Sequence, residues 1–286
     1  MPPRKPSAVG AHVPVAGGLG RALAYALEIG AGALQVFVSN PRGWAPSAGD
    51  PATDEKFRAD CAGAGLPVYV HAPYLVNFGS PTATTLTRSV SAVEHALARG
   101  AAIGARGVVL HAGSAVAGAH RDAALGQLRS HLLPVLEACD PAGPRLLVEP
   151  TAGGGQALAA TVQDLEAWFA QVESHEMLGV CLDTCHAFAA GHDVAAPGGM
   201  KRTLDALVKT VGRGRLALVH ANDSKDPLGS ARDRHEAIGA GHIGKEPFAE
   251  LFRHPATRGV PVVVETPGDA ASHRRDVELL CSLRDD

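Results

Sequence analysis

The chain has 286 residues, 46% of them hydrophobic and 19% charged, a composition that supports a sizeable core and excludes wholesale disorder. Its formal net charge of −3 carries no basic signature of a nucleic-acid binder, unless bound divalent cations reverse the local field. Five cysteines without dense spacing argue against a disulfide scaffold; with no signal region behind Met1-Pro2-Pro3-Arg4-Lys5-Pro6 and no membrane-length apolar run, a soluble cytoplasmic protein is expected.

Short apolar runs of buried-strand composition alternate with Ala-rich stretches of helical character. Residues 9–13 read as a strand and 19–29 as a helix; strands at 33–38, 67–71 and 107–111 are followed by helices at 54–64, 82–103 and 120–139. The second half repeats the pattern, with strands at 145–149, 178–183, 215–220 and 260–265 and helices at 161–175, 198–211, 247–252 and 272–283. Eight such units predict an α/β fold, a single (β/α)8 TIM barrel over residues 1–286 with a flexible tail at 1–7. A doubly wound open sheet is the alternative, because alternation does not separate a closed sheet from an open one. Gly17-Gly18-Leu19-Gly20 lacks the spacing of a dinucleotide fingerprint, which weighs for the barrel.

The strand ends carry the chemical signal. The third to eighth runs close on His71, His111, Glu149, Asp183, His220 and Glu265. In a barrel these ends form the C-terminal face, where such enzymes build their active sites. A lone strand-end His is usually a hydrogen-bonded, partly buried residue, and a lone Asp a turn former or helix cap. Six in succession on one rim are poorly explained that way. His186 follows Asp183 by three residues, where the strand is expected to give way to a loop. Asp233 and His235 are two apart, so an extended segment points both to one side. The ordinary reading of Ala231-Arg232-Asp233-Arg234-His235 is a solvated charged loop, but its place after the seventh strand brings it to the same rim. Five histidines and four carboxylates suit zinc or another borderline divalent ion, and suffice for more than one. A group bridging two such ions is the apparatus of two-metal phosphoester cleavage.

Three segments then resemble the endonuclease IV family of apurinic/apyrimidinic endonucleases. They are Gly179-Val180-Cys181-Leu182-Asp183-Thr184-Cys185-His186-Ala187-Phe188-Ala189-Ala190-Gly191, His220-Ala221-Asn222-Asp223-Ser224-Lys225 and Asp233-Arg234-His235-Glu236-Ala237-Ile238-Gly239-Ala240-Gly241-His242-Ile243-Gly244. The likeness runs from Val9-Gly10-Ala11-His12-Val13 to Val264-Glu265-Thr266. It implies a DNA repair enzyme with up to three zinc ions, manganese being acceptable at some positions. Its partner would be double-stranded DNA with abasic sites or blocked 3′ ends, cut 5′ to the abasic site to leave a 3′-hydroxyl. By the same resemblance His71, His111 and Glu149 hold one zinc. Glu149 bridges to a second, also held by Asp183, His220 and Glu265, and His186, Asp233 and His235 hold the third. A hydroxide between two metals would attack the phosphorus, with Glu149 as bridge and Glu265 orienting the water as the catalytic groups. Arg42, in Ser39-Asn40-Pro41-Arg42-Gly43-Trp44, matches the family's inserting arginine. Tyr74 and Leu75, in Ala72-Pro73-Tyr74-Leu75, match wedges that fill the stack beside a flipped-out nucleotide. The plain alternatives for these three are an exposed arginine and loop packing. Nothing demands more than a monomer, and no membrane contact is expected.

The chain departs from the family pattern at several positions. Gly43 stands where a bulky polar neighbour of the inserting arginine is expected, and Ala112 and Ala115 break the usual Pro and His after the fourth strand. Pro150 replaces Asn; it keeps Glu149 extended but removes an amide side chain. Cys181 and Cys185 flank Asp183 and read as packing residues, as do Cys61, Cys139 and Cys281. His12 and His242 lie on the expected rim, in reach of substrate or of the ligands. Two other functions compete. A one-metal sugar isomerase or epimerase on the same barrel would leave Asp183, His186, Asp233 and His235 unexplained. A protein that binds abasic DNA without cutting it would have no use for a full ligand set.

Overall fold

The computed structural model describes residues 6–285. The first half contains β1 (Val9–His12), α1 (Leu19–Glu28), β2 (Leu34–Phe37), α2 (Pro51–Gly63), β3 (Val68–His71), α3 (Ala83–Ala102), β4 (Ala105–His111), α4 (Arg121–Gln127) and α5 (Leu133–Glu137). There follow β5 (Arg145–Glu149), α6 (Leu165–Gln171), β6 (Leu178–Asp183), α7 (Thr184–Ala189), α8 (Gly199–Val211), β7 (Leu216–His220), β8 (Asp223–Ser224), β9 (His235–Glu236), α9 (Glu246–Arg253), β10 (Val262–Val264) and α10 (Ala270–Asp285). Eight parallel strands close in the order β1-β10-β7-β6-β5-β4-β3-β2, so the fold is the TIM barrel and the open sheet is excluded. β1 is the closing strand, pairing with β10 at Ala11↔Val264 and with β2 at Ala11↔Leu34. Among the described residues no helix is long and apolar enough to cross a membrane.

Strand parity builds both the core and the site. Strands buried on both faces carry continuous apolar runs, yet successive side chains still point to opposite faces. Ala33, Tyr69, Val109, Leu147, Cys181, Leu218 and Val263 form one buried cluster inside the barrel. Their neighbours Val68, Val70, Val108, Leu110, Leu146, Val148, Val180, Val262 and Val264 belong to the larger cluster against the helices. Two residues beyond each member of the inner cluster, on the same face, stand Gln35, His71, His111, Glu149, Asp183, His220 and Glu265. His12 occupies the corresponding place on β1, two residues after Gly10. Gly10 itself allows β2 to approach closely, since a Cβ there would lie 1.8 Å from the Ala33 carbonyl oxygen.

Local structure departs from expectation where a side chain competes with the helix. The helix expected at 120–139 is interrupted by a π-helical turn at Leu128–Leu132, next to Pro134, which has no N–H and crowds the preceding turn. The helix expected at 161–175 shrinks to α6. Asp164 accepts from the Ala160 and Thr161 amides at 3.0 and 2.9 Å, and Glu173 and Ser174 adopt left-handed backbone (φ 52° and 49°) beyond its end. The strand expected at 260–265 is reduced to β10, since Pro261 offers no amide and the Glu265 amide donates to Asn222 Oδ1 at 2.7 Å. Of the segment expected to be a flexible tail, residues 1–5 lie outside the described residues. Ser7 is buried and donates to the Thr257 carbonyl at 2.8 Å.

Candidate metal centre

The C-terminal mouth holds a cavity of about 210 Å³ lined by His71, Tyr74, His111, His186, Asp233, His235 and Glu265. Buried Glu149 sits among four imidazoles. Its Oε1 lies 3.0 Å from His220 Nδ1 and 3.3 Å from His186 Nδ1, and its Oε2 lies 3.5 and 3.8 Å from the Nε2 atoms of His71 and His111. His220 Nδ1 is also 3.9 Å from Asp183 Oδ2 and 3.3 Å from Glu265 Oε2. Asp233 faces both His186 Nε2 at 3.1 Å and His235 Nε2 at 3.0 Å, and His235 Nε2 is 3.6 Å from Asp183 Oδ2. Besides two groups that include a thiol (Glu149/Cys181/His220 and Cys185/Asp233/His235), ligand atoms gather into three built from imidazoles and carboxylates alone: His71/His111/Glu149, Asp183/His220/Glu265 and Asp183/His186/His235, with Asp233 against the last. All nine residues singled out for metal binding in the sequence come together here.

The donor set fits metal ions better than it fits hydrogen bonding. Glu149 Oε2, His186 Nε2 and His235 Nε2 are buried without a hydrogen-bond partner, although oppositely polar atoms lie close by. Bonds of about 2.0–2.1 Å to a tetrahedral ion put neighbouring ligand atoms about 3.3 Å apart, near the separations seen. The ring nitrogens are also aimed. His71, His186 and His235 donate from Nδ1 to the carbonyls of Ala72 (2.7 Å), Pro150 (3.1 Å) and Glu265 (3.1 Å), which leaves each Nε2 free to face the centre. Pro150 thereby uses its backbone oxygen to hold His186, a role that needs no amide side chain.

Burial alone would raise the Glu149 carboxyl, but His220, His186 and His71 hold it well below the usual carboxylate range. Burial likewise disfavours the charged forms of His186 and His235; Asp183 and Asp233 outweigh it, placing His186 well above the usual imidazole range and His235 at about 9. His111 is less compensated, and burial pushes it down to about 4. Asp183 moves up, again through burial. Four carboxylates so close together, Glu149 and Asp183 wholly buried, call for cationic partners, and divalent ions would provide them.

Three parts of the site escaped the sequence reading. Asp183 and His186 do not flank a loop: α7 starts directly after β6, and Asp183 is its N-cap, accepting the His186 amide at 2.8 Å. Gln35, wholly buried, accepts from His220 Nε2 at 3.0 Å and donates to Glu265 Oε1 at 2.8 Å, the oxygen that also takes His12 Nδ1 at 2.7 Å. Its signal was available in its place two residues after inward-facing Ala33. Asn222 donates to Asp183 Oδ2 at 2.7 Å, while Asp223 accepts the amides of Ser224, Gly239, Gly241, Ile243 and Gly244 at 2.8–3.2 Å.

The two loops singled out for DNA are adjacent, the Tyr74 amide donating to the Pro41 carbonyl at 2.9 Å. Tyr74 is 47% exposed and stacks on His111 with ring centroids 5.6 Å apart; Arg42 is exposed and Leu75 half-buried. Ala112 and Ala115 are both buried, and the Trp168 indole donates to the Ala112 carbonyl at 3.1 Å. Cys181 fills the barrel interior, and burial pushes both its thiol and that of Cys185 up to about 12.

The family described as the xylose isomerase-like TIM barrel matches residues 23–283. Within that class, a relative named "Probable endonuclease 4" from Streptomyces avermitilis is 57% identical over 97% of this chain and 90% of its own length. One of the same name from Methanoculleus marisnigri is 38% identical over 97% and 98%. The crystal structure of endonuclease IV from Thermus thermophilus superposes with a TM-score of 0.82 at 36% identity, covering 99% of both chains. A D-tagatose 3-epimerase-like protein, at 16% identity and a TM-score of 0.70 over 92% of both chains, shares the fold. The chain belongs to the endonuclease IV family.

Proposed function

We propose that this protein is a DNA repair endonuclease that hydrolyses the phosphodiester 5′ to abasic sites in double-stranded DNA, leaving a 3′-hydroxyl, and that it also clears blocked 3′ ends. The observation that carries this reading is the convergence of nine ligand-competent side chains at one mouth, where Asp183 belongs to two groups and Glu149, in a third, also lies 3.0 Å from His220. His71, His111 and Glu149 would hold one zinc; Glu149, Asp183, His220 and Glu265 would hold a second; His186, Asp233 and His235 would hold a third, with manganese acceptable at some positions. Zinc bound there supplies a lowered pKa for water and positive charge for the phosphodiester oxygens.

The chain's own groups do the positioning. Glu149 spans two groups and fixes their separation. His12 and Gln35 both bond Glu265 Oε1, so the carboxylate is held in place to orient the attacking water. Tyr74, which burial and the nearby carboxylates push up to about 12, keeps its hydroxyl proton and offers an uncharged ring over His111 as a platform for a sugar or base. With Arg42 and Leu75 it occupies the gap left by the flipped-out nucleotide. The protein acts as one cytoplasmic domain and a monomer, consistent with one barrel carrying all the groups.

Incision of a duplex carrying a tetrahydrofuran abasic analogue tests this, because the analogue cannot undergo β-elimination. A single 5′-side cut leaving a 3′-hydroxyl is expected, and it should be lost in Glu149→Ala. No cut by protein shown to contain two or three metals per chain would refute the endonuclease reading. A content near one metal would turn attention to sugar isomerisation, a chemistry that the shared fold alone does not support.

A further inference from the structure

We infer that the N-terminal mouth of the barrel, opposite the metal centre, is a binding site for a small organic phosphate of nucleoside-monophosphate size. A cavity of about 750 Å³ opens there, with Tyr69 at its floor. It is within the range of about 300–1,000 Å³ in which small-molecule sites fall. Its lining carries Arg106, Arg145, Arg213 and Arg258, and none of these pairs with a carboxylate among the described residues. The one acid in the lining, Asp205, is already engaged by Lys201 at 2.6 Å and by His254 at 3.1 Å. In a chain of net charge −3, that local excess of cations is not a consequence of composition.

Parity explains why an arginine sits inside the barrel. Arg145 lies two residues before inward-facing Leu147 and therefore points into the same lumen at the opposite end. The neighbouring strands place glycines beside it: a Cβ at Gly179 would lie 3.2 Å from Arg145 Nη2, and one at Gly107 would lie 2.7 Å from Leu147 Cδ1. Arg145 Nη2 donates to the Leu178 carbonyl at 2.8 Å and Nη1 reaches the Gly214 carbonyl only at 3.5 Å, while its Nε is buried without a partner. A guanidinium kept only for packing would be expected to find a carboxylate or full carbonyl capping, since a buried unpaired donor is costly. Arg106, Arg213 and Arg258 are exposed around the opening, where forked donors suit a phosphate's several oxygens. Val208, Val211 and Val260 supply an apolar wall for the organic part, which bare phosphate would not need.

The inference stands independently of the proposed endonuclease activity. The test is a calorimetric titration of the zinc-loaded full chain with adenosine 5′-monophosphate, in parallel with inorganic phosphate. Phosphate groups can also reach the metal centre, so the wild type is compared with Arg106→Glu/Arg258→Glu, whose changes lie at exposed positions on the other mouth. The wild type is expected to take up one more equivalent of nucleotide than the variant, or to bind it at least about tenfold more tightly at that site. Inorganic phosphate should bind there more weakly than the nucleotide. The variant should keep the wild-type melting temperature and cut abasic duplex at the wild-type rate. Identical stoichiometry and affinity in the two proteins would overturn the site, and equal binding of inorganic phosphate and nucleotide would overturn its organic ligand.

Discussion

Gln35 shows how much of the candidate metal centre rests on a residue outside its nine ligand-competent side chains. Its amide oxygen takes the His220 Nε2 proton, so Nδ1 is presented to Glu149, Asp183 and Glu265, while its amide nitrogen holds Glu265. Gln35→Ala removes both restraints at once and leaves a buried imidazole N–H unpaired. Supporting partners of this kind are worth about 10–100-fold in metal affinity or activity, and the orphaned donor costs about 1–3 kcal/mol. Zinc affinity, measured by competition with a chromophoric chelator, and the incision rate should therefore both fall by about 10–100-fold. A variant with unchanged zinc affinity would reduce Gln35 to a packing residue. His12, expected on the rim in reach of substrate or of the ligands, shares this role through its bond to Glu265.

Among the elements, the segment from β8 to α9 is the one whose conformation decides whether the third group forms. It has little regular structure beyond the two-residue pairing of β8 with β9, so side-chain bonds must fix it. Asp223, wholly buried, gathers five amides, four of them from 239–244, and ties the returning chain to β8. Gly241 is required by that approach, because a Cβ there would lie 2.4 Å from the Ser224 carbonyl oxygen and 2.5 Å from Asp223 Oδ1. Asp223→Asn turns one acceptor into a donor that faces other donors. We expect a loss of about 3 kcal/mol in chemical denaturation and the loss of one zinc per chain by metal analysis. Full zinc content in that variant would show that the segment is held by other means. At α7 a single residue serves both fold and site: Asp183 caps the helix with Oδ1 and offers Oδ2 to the centre.

For the whole molecule, the proposed metal centre would couple stability to metal. Four carboxylates and five histidines crowd one end of the barrel, and metal held by the folded chain alone stabilises it by mass action. With free zinc at about 100 times its dissociation constant the contribution is about 2.7 kcal/mol. For a chain of this size that corresponds to a melting temperature about 5–10 °C lower after chelation, restored when zinc is added back. A melting curve indifferent to chelator would mean that the nine residues are held together by protein contacts alone. The two mouths also divide the molecule electrostatically: carboxylates and imidazoles at the C-terminal end, unpaired guanidiniums at the other.

The strand–helix alternation and most of the ligand-bearing rim were legible along the chain because a period of two is a local property. Wherever a buried run ends in His, Asp or Glu, the residue's face follows from the residue two before it, as Tyr69 fixes His71 and Leu147 fixes Glu149. The same rule places Gln35 and Arg145, but their side chains announce no ligand chemistry, so the sequence alone left them unmarked. The start of α7 at Thr184 was hidden because a capping Asp and a ligating Asp are the same residue. What only the tertiary structure decided are relations between strands far apart in sequence. Glu149 lies between His71 and His220, Asn222 holds Asp183 against Glu265, and Asp223 gathers amides some twenty residues away (Gly239 to Gly244). Those distances are set by barrel closure, which no local pattern encodes.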